Sequence, residues 1–316
     1  MSIRQPSARR SKTVPTVVAG VVLLLIAAVV AFFLLRGGKP AAVSSPQPSA
    51  SAQPTPTLSE ALLNRRLTVL VIGTDVNKAR AAKSESANTD SLMLVSISAG
   101  QKSMLLVSVP RDTVDVPLPG GGVWDQKINA IFIEKGVDAL VGAMKELFGV
   151  PIDGYVKVDM DDFQSLVDAV GGVDVNPEKA LDDPKLGLKL DAGKQHIDAA
   201  TALKYVRTRV DQDYGRAARQ QEVLLALVAK LVDPNTNVDL RKLLDGLKSL
   251  ETDLPLEDLP TLVEIARRAE HADGTRQVLE PPDFITFEGD RGDGRGYILE
   301  PDVEKIRAFV QGKIGK

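Results

Sequence analysis

Cysteine is absent from this chain of 316 residues, and histidine occurs only as His196 and His271. Without cysteine there is no disulfide bond, thiol nucleophile or thiolate metal site. Two histidines leave almost no material for a histidine-rich metal site or a Ser-His-Asp triad. Any chemistry in this protein must therefore be carried by carboxylates, arginines and lysines.

A broad positive surface is lacking as well, because the formal net charge is −3 at pH 7. The first 40 residues contain six basic residues and no acidic one, so the rest of the chain carries a formal charge of −9. An acidic body of this kind argues against a general nucleic-acid-binding surface, and we expect no nucleic-acid partner. A site for an anion would need a local cluster of arginines.

One long hydrophobic run is present near the N-terminus. Residues 16–35 carry no charge and consist almost entirely of Val, Leu, Ile, Ala and Phe. A helix of this length reaches roughly 30 Å, about the thickness of the hydrocarbon core of a bilayer. The run is longer than the apolar core of a signal peptide and ends in bulky residues, which favours a retained anchor over a cleaved signal peptide.

Basic residues before this run outnumber those after it, which places the N-terminus in the cytoplasm. We predict a single-pass protein of the cell membrane, with a cytoplasmic tail at 1–13 and a transmembrane helix at 14–35. Residues 36–60 are rich in Pro, Ser, Ala and Gln and predict an extended linker. Residues 61–316 show neither a second low-complexity segment nor an internal repeat, and predict one extracytoplasmic domain.

The segments of this domain alternate in type. The apolar run LTVLVIG at 67–73 predicts a strand buried on both faces. Two further runs, 91–97 and 104–109, flank SAGQKS and predict a hairpin, and a short strand is expected at 155–158. Apolar residues at helical spacing predict helices over 137–148, 163–170 and 223–231. Strands and helices interleaved in this way indicate an α/β/α sandwich around a mixed central sheet.

Three groups of polar residues adjoin the ends of predicted strands. Asp75 follows the first strand, Asn88 and Asp90 precede the second, and Arg111 with Asp112 follows the third. Ligands of α/β proteins bind outside the ends of the strands, so polar residues clustered there are candidate site residues. The carboxylates of Asp75 and Asp90 offer oxygen ligands to Mg2+, which shares such ligands with substrate phosphates.

A fourth group lies within residues 205–220. Arg207 and Arg209 alternate, so an extended segment would point both the same way. Arg216 and Gln220 are one helical turn apart, with Arg219 beside them. Gly215 near the start of that helix would leave backbone N–H groups for an anion. Because arginine grips oxyanions bidentately, this group predicts a phosphate or pyrophosphate site.

Each group also has an ordinary structural explanation. An aspartate after a strand is often a turn residue or a helix cap. Neighbouring arginine and aspartate residues usually form surface ion pairs worth about 0–1 kcal/mol, and an arginine on a helix usually faces solvent. No single group therefore establishes a site.

Taken together and in this order, the segments resemble the LytR-CpsA-Psr family of cell-wall glycopolymer ligases. The matching stretches are DSLMLVSI, LLVSVPRDT, KINAIF, GVPIDGYVKVDMDDFQSLVDAVGGVDV and YVRTRVDQDYGRAARQQ, and the likeness continues to GYILEPDVEKIRAFV near the C-terminus. The resemblance implies an enzyme that transfers a glycopolymer from a polyprenyl-pyrophosphate carrier to peptidoglycan and forms a phosphodiester link. It also implies an apolar tunnel for the lipid, with the pyrophosphate at its mouth together with Mg2+, or Mn2+ as the alternative.

The resemblance implies roles for individual residues. Asp75 and Asp90 match the magnesium-associated acids. Catalytic roles are expected for Arg111, Asp112, Asp90, Arg207 and Arg209. Binding of the pyrophosphate or lipid is expected from Arg111, Lys127, Arg207, Arg209, Arg216, Arg219 and Gln220. Asp213 lies in the same motifs, and Asn88 stands where the family usually has arginine, which removes a cation but keeps a hydrogen-bond donor.

Two other functions remain open from the sequence. Water in place of the acceptor sugar hydroxyl would make the same site a lipid pyrophosphatase, and a non-catalytic lipid-binding or regulatory membrane protein would have the same organisation. The predicted cytoplasmic tail is too short for a folded domain, so direct DNA binding is not expected. In the transfer reaction, a carboxylate of Asp75, Asp90 or Asp112 would act as the base.

Overall fold

The computed structural model describes residues 58–75, 88–247, 250–255 and 258–314. The predicted cytoplasmic tail and transmembrane helix, and most of the predicted linker, lie outside these ranges. Within them, no helix has both the length and the hydropathy that crossing a bilayer requires.

The strands of the described ranges are short to moderate in length. In chain order they are β1 (Leu67–Thr74), β2 (Thr89–Ile97), β3 (Ser103–Val109), β4 (Val116–Pro117), β5 (Val123–Trp124), β6 (Gly154–Val158), β7 (Val173–Val175), β8 (Leu181–Asp183), β9 (Leu188–Leu190), β10 (Gln195–Ile197), β11 (Glu251–Thr252), β12 (Asp273–Val278), β13 (Ile285–Asp290) and β14 (Tyr297–Pro301).

The helices of the same ranges include the three that apolar spacing predicts. They are α1 (Glu60–Leu63), α2 (Ile131–Lys135), α3 (Val137–Phe148), α4 (Met160–Ala169), α5 (Ala199–Arg207), α6 (Gln212–Val232), α7 (Leu240–Leu247), α8 (Leu259–Ala269) and α9 (Val303–Ile314). Gly149 ends α3 in the left-handed conformation (φ 64°), as its position after the apolar stripe predicts. α1 begins at Glu60, the last residue of the predicted linker.

A mixed sheet of six strands, in the order β11-β6-β1-β2-β3-β12, forms the centre of the domain. The predicted hairpin is the antiparallel pair β2–β3, whereas β1 pairs parallel with β6 and β3 parallel with β12. This arrangement confirms the predicted α/β fold with a mixed central sheet. Because β1 and β2 are antiparallel, as are β2 and β3, one edge of the sheet collects the end of β1, the start of β2 and the ends of β3 and β6.

The two faces of the sheet have different surroundings. Leu70, Ile72 and Leu92 point to one face and are buried in a core shared with α3 and α9. Val69 and Val71 alternate with them and are only partly buried, because they line a cavity roofed by helices that include α6 and α8. The expectation that β1 is buried on both faces therefore holds only in part for this face, where Leu67 is buried and Val69 packs against a small apolar cluster. The strand is apolar throughout because its second face bounds an apolar cavity.

The C-terminal hairpin β13–β14 lies outside the central sheet. Its two strands are antiparallel, and Leu299 forms a β-bridge with Thr113 in the segment that follows β3. The hairpin is thereby joined to the same edge of the sheet that collects the polar residues.

Candidate active site

Three of the predicted site residues meet at one edge of the sheet because of the strand directions. Asp75 follows the last residue of β1, Asp90 is the second residue of β2, and Arg111 comes two residues after the end of β3. The register pairs Gly73 with Ser91 and Leu92 with Val109. Groups separated by up to 36 positions in the sequence are therefore adjacent in the fold.

The carboxylate of Asp90 lies at the centre of an arginine cluster. Arg111 donates a hydrogen bond from Nη1 to Asp90 Oδ1 over 2.7 Å. Arg209 Nη2 and Arg216 Nη1 each lie 3.9 Å from the same oxygen, and Arg216 Nη2 also donates to the main-chain oxygen of Asp90 at 3.3 Å. Three guanidinium groups from two distant segments thus converge on one carboxylate.

Two more aspartates hold these cations in place. Asp213 Oδ1 lies 3.2 Å from Arg209 Nε and 3.3 Å from Arg216 Nε. Asp112 is buried and lies 2.8 Å from Lys127 Nζ and 3.7 Å from Arg111 Nε. Asp112 and Lys127 are outside the described residues that line the cavity, and so is Arg111, which is joined to the mouth through its hydrogen bond to Asp90.

One arginine of the cluster is buried and another is partly buried, and neither has a full set of hydrogen bonds. Arg216 is only 5% exposed, and burial lowers its pKa. The positive charges of Arg209 and Arg111 lower this pKa further, whereas the negative charges of Asp213 and Asp90 raise it. Burial also acts to lower the pKa of Arg111, but the hydrogen bond and charge of Asp90 outweigh it, so the net direction is upward. The Nε atoms of Arg111 and Arg216 are buried and donate no hydrogen bond to any described residue. Because buried donors of this kind are costly, the cluster is suited to an anionic ligand.

This cluster stands at the mouth of a cavity of about 1040 Å³. Its polar lining residues at this end include Asp75, Asp90, Arg207, Arg209, Arg216 and Gln220. Its walls are apolar and come from both the sheet and the helices above it, as with Val71, Met93, Leu106, Phe163, Leu224 and Leu262. A ligand with an anionic head and a long apolar tail fits such a space.

The segment that carries Arg207 and Arg209 differs from the predicted extended strand. Arg207 is the last residue of α5, and the extended conformation begins at Thr208. Both arginines still line the cavity, because the helix ends between them. Gln220 also lines the cavity, and its side-chain nitrogen donates to the main-chain oxygen of Val206 at 3.2 Å.

Arg219 has a different environment from the other predicted pyrophosphate ligands. Its guanidinium donates to the main-chain oxygens of Tyr205 at 2.9 Å and Thr208 at 2.6 Å, and to Asp211 Oδ2 at 2.5 Å. It is buried and does not belong to the described residues that line the cavity. Arg219 therefore braces the turn that presents Arg207 and Arg209.

The expected role of Gly215 also differs in the structure. A Cβ atom at Gly215 would lie 2.3 Å from Asp211 Oδ2, so the absence of a side chain makes room for the Asp211 carboxylate. That carboxylate holds Arg219. Gly215 therefore makes room for the ion pair between Asp211 and Arg219. The Asp211 carboxylate lies at the start of α6, where the sequence predicts an open anion site.

The predicted metal ligands both lie at the mouth of the cavity. Asp75 accepts a hydrogen bond at Oδ1 from the main-chain nitrogen of Asn88 at 3.0 Å, and its own nitrogen donates to Asn88 O at 3.1 Å. Asn88 therefore positions Asp75 through its main chain. Among the described residues no group of three or more potential metal-binding side chains occurs. Two carboxylates fit Mg2+, since this ion takes one or two protein carboxylates and completes its coordination with phosphate and water.

One acidic residue at the mouth was missed by the sequence argument. Asp159 lines the cavity, directly after β6, and its carboxylate caps α4 by accepting from the nitrogen of Asp162 at 2.8 Å. The same strand-end reasoning that selects Asp75 would have selected it, because β1 and β6 are parallel neighbours.

Comparisons with known proteins find relatives among cell-wall proteins of bacteria. TagV of Bacillus subtilis, named a polyisoprenyl-teichoic acid–peptidoglycan teichoic acid transferase, is 29% identical over 244 residues, which are 73% of this chain and 61% of TagV. The cell wall biosynthesis protein LcpA of Corynebacterium glutamicum is 27% identical over 266 residues, 75% of this chain and 51% of LcpA. The chain thus spans less than two thirds of either protein.

The crystal structure of B. subtilis TagV matches the fold with a TM-score of 0.62 at 27% identity, and the match covers 80% of this chain and 98% of that one. The LytR_cpsA_psr family model matches residues 33–279. That match covers well over half of the sequence and includes every residue of the arginine cluster. This protein belongs to the LytR_cpsA_psr family.

Proposed function

We propose that this protein is a transferase that moves a glycopolymer from a polyprenyl-pyrophosphate carrier to peptidoglycan and leaves a phosphodiester bond. The observation that carries the proposal is the convergence of Arg111, Arg209 and Arg216 on Asp90 at the mouth of a large apolar cavity. The name of TagV supports the same reaction class, and the name of LcpA supports a role in cell wall biosynthesis.

The arginine cluster would act mainly by electrostatics. Phosphoryl transfer needs neutralisation of charge and in-line positioning more than a protein nucleophile. A pyrophosphate at the mouth would accept hydrogen bonds from the guanidinium groups of Arg209 and Arg216, which line the cavity. It would also compete with Asp90 for the same guanidinium groups, so binding would replace an internal ion pair by a contact with substrate.

The proposed step requires only the lipid-linked donor, the peptidoglycan acceptor and a base. A sugar hydroxyl of peptidoglycan attacks the phosphorus next to the glycopolymer, and the bond from that phosphorus to the oxygen of the polyprenyl phosphate breaks. The polyprenyl phosphate leaves with the electron pair, and a carboxylate takes the proton of the hydroxyl. Of the three predicted bases, Asp75 and Asp90 line the cavity, whereas Asp112 is outside its described lining and pairs with Lys127.

Asp75 and Asp90 would hold Mg2+, with Mn2+ as the alternative, and the ion would supply positive charge to the phosphate oxygens. The proposal also retains the predicted anchor at 14–35. With the domain outside the cytoplasm, the membrane-borne donor and peptidoglycan would both be accessible to it.

The test uses the full-length protein with a polyprenyl-pyrophosphate-linked oligosaccharide, Mg2+ and soluble peptidoglycan fragments. Mass spectrometry of the products is expected to show an oligosaccharide joined to the fragments through a phosphodiester. Release of a sugar phosphate with no joined product would indicate a hydrolase instead. Tight binding of the lipid with neither product would indicate a non-catalytic lipid-binding protein.

A further inference from the structure

The β13–β14 hairpin lies beyond residue 279, where the family match ends, yet it is hydrogen-bonded to the candidate active site. The main-chain nitrogen of Leu299 donates to the oxygen of Asp112 at 3.1 Å, and the nitrogen of Val114 donates to the oxygen of Leu299 at 2.9 Å. These bonds fix β14 to the three residues that follow Arg111.

A second attachment lies at the other end of the hairpin strand. Arg295 Nη1 lies 3.2 Å from Asp115 Oδ1 and donates to the main-chain oxygen of Asp125 at 3.1 Å. Tyr297 stands between this attachment and Leu299. Its backbone is therefore held on both sides, although the residue is 49% exposed. A large aromatic ring kept exposed on a fixed strand next to an active site is a candidate for ligand contact.

The hairpin register defines which side chains accompany Tyr297. It pairs Asp290 with Tyr297 and Glu288 with Leu299, so these four side chains share one face. The phenol of Tyr297 donates a hydrogen bond to Glu288 Oε1. Both Glu288 and Asp290 are exposed, so the face offers an aromatic ring beside two carboxylates.

The charged groups of the site act on the tyrosine of this face. The pKa of Tyr297 is raised by burial of its hydroxyl and by Glu288, and also by the charges of Asp112 and Asp213. Tyr214, the neighbour of Asp213 on α6, has its pKa raised by burial and by the charges of Glu288 and Tyr297. Tyr297 thus lies within electrostatic range of both acids that hold the arginine cluster.

We infer that Tyr297, Glu288 and Asp290 form the subsite for an uncharged sugar ring of the peptidoglycan acceptor, an inference that rests on the proposed transfer reaction. The ring of tyrosine presents an apolar face to the C–H groups of a sugar, and carboxylates accept hydrogen bonds from its hydroxyls. The acidic face repels a polyanion such as a phosphate-bearing donor polymer. Tyr297 is also outside the described residues that line the cavity, so donor lipid and acceptor would approach from different sides.

The experiment compares full-length wild type with Tyr297→Ala and Tyr297→Phe, using a polyprenyl-pyrophosphate-linked oligosaccharide and soluble peptidoglycan glycan fragments. In Tyr297→Ala we expect the KM for the fragments to rise about three- to tenfold, the range that an aromatic contact accounts for. The kcat at saturating fragments and the KM for the lipid donor should stay at the wild-type values. Tyr297→Phe keeps the ring and should stay within about twofold of wild type.

Phe287→Ala is the matched control, because Phe287 lies on the opposite face of the same hairpin and packs under Arg291. Phe287→Ala shows how much the KM for the fragments rises when the hairpin is merely weakened. Thermal unfolding of all variants shows whether each of them folds. An unchanged acceptor KM in Tyr297→Ala, an equal rise in Phe287→Ala, or a rise in the donor KM instead would overturn the inference.

Calorimetric binding of the fragments to the same proteins separates this inference from the proposed function. If wild type binds the fragments but transfers nothing, the proposed function fails. Weaker binding by Tyr297→Ala would still support the subsite in that case, and equal binding would refute it.

Discussion

The side chain of Arg111 donates a 2.7 Å hydrogen bond to Asp90 although the two residues are 21 positions apart in the sequence. The antiparallel pairing of β2 and β3 brings them together, because it places the start of one strand beside the end of the other. Asp90 also lies 3.9 Å from both Arg209 and Arg216. The Asp90 carboxylate therefore holds three arginine side chains close together in the absence of substrate, because its negative charge offsets their mutual repulsion.

Replacing Arg111 tests whether this cluster carries the reaction. Arg111→Ala removes the guanidinium closest to Asp90 and one of the two buried Nε donors. We expect kcat for transfer to fall about 100- to 1,000-fold, the usual cost of removing one donor that stabilises developing charge. Arg267→Ala is the control, because Arg267 is an exposed arginine of α8 that pairs with Glu264. Transfer at the wild-type rate in Arg111→Ala would remove the proposed site.

Replacing Arg219 tests whether this residue stabilises the turn at 205–211 or binds the substrate. Arg219→Ala loses hydrogen bonds to the main-chain oxygens of Tyr205 and Thr208 and to Asp211. We expect the free energy of unfolding to fall by about 2–3 kcal/mol, because two buried acceptors lose their partner. Urea denaturation at neutral pH measures this change. A variant with wild-type stability and no lipid-diphosphate binding would show instead that Arg219 contacts the substrate.

The cavity can be tested without touching the charged cluster. Val71 lines the cavity from the centre of β1, so Val71→Trp would fill part of the space that a lipid tail needs. We expect the affinity for polyprenyl phosphate to fall about tenfold, which corresponds to roughly 1.4 kcal/mol of lost burial. Val71→Ile adds a single methylene and should bind normally. Equal lipid binding by the tryptophan variant would mean that the tail lies elsewhere.

Much of this fold could be predicted from the sequence because its strands and helices have clear hydrophobic patterns. The β2–β3 hairpin follows from two apolar runs around SAGQKS, and α3 follows from apolar spacing that ends at Gly149. The strand ends also predict correctly that Asp75, Asp90 and Arg111 lie on one edge. In each of these elements, the structure that the local sequence pattern favours is also the one that the surrounding fold requires.

The sequence alone does not show whether the face of an apolar strand packs in a core or lines a cavity. An apolar run such as 67–73 looks the same whether its second face packs against a helix or bounds empty space. It also could not distinguish Arg219 from Arg216, because both lie on α6 within one turn and only the turn at 205–211 decides which faces the cavity. No sequence pattern indicates Tyr297, since the position of its strand beside Asp112 depends on main-chain hydrogen bonds between distant segments.

The metal requirement can be tested through Asp75, one of the two predicted ligands. Chelation of divalent cations should abolish transfer, and either Mg2+ or Mn2+ should restore it. Asp75→Asn keeps a side-chain oxygen that can accept from the nitrogen of Asn88, which the structure places 3.0 Å from Oδ1, but it removes the charge. We therefore expect unchanged folding and about a tenfold or greater rise in the Mg2+ concentration for half-maximal transfer, as weakened metal ligation produces. The dependence of the initial rate on Mg2+ concentration measures this shift. If Asp75→Asn kept the wild-type Mg2+ dependence, the ion would be held without Asp75, and the role proposed for this carboxylate would have to be given up.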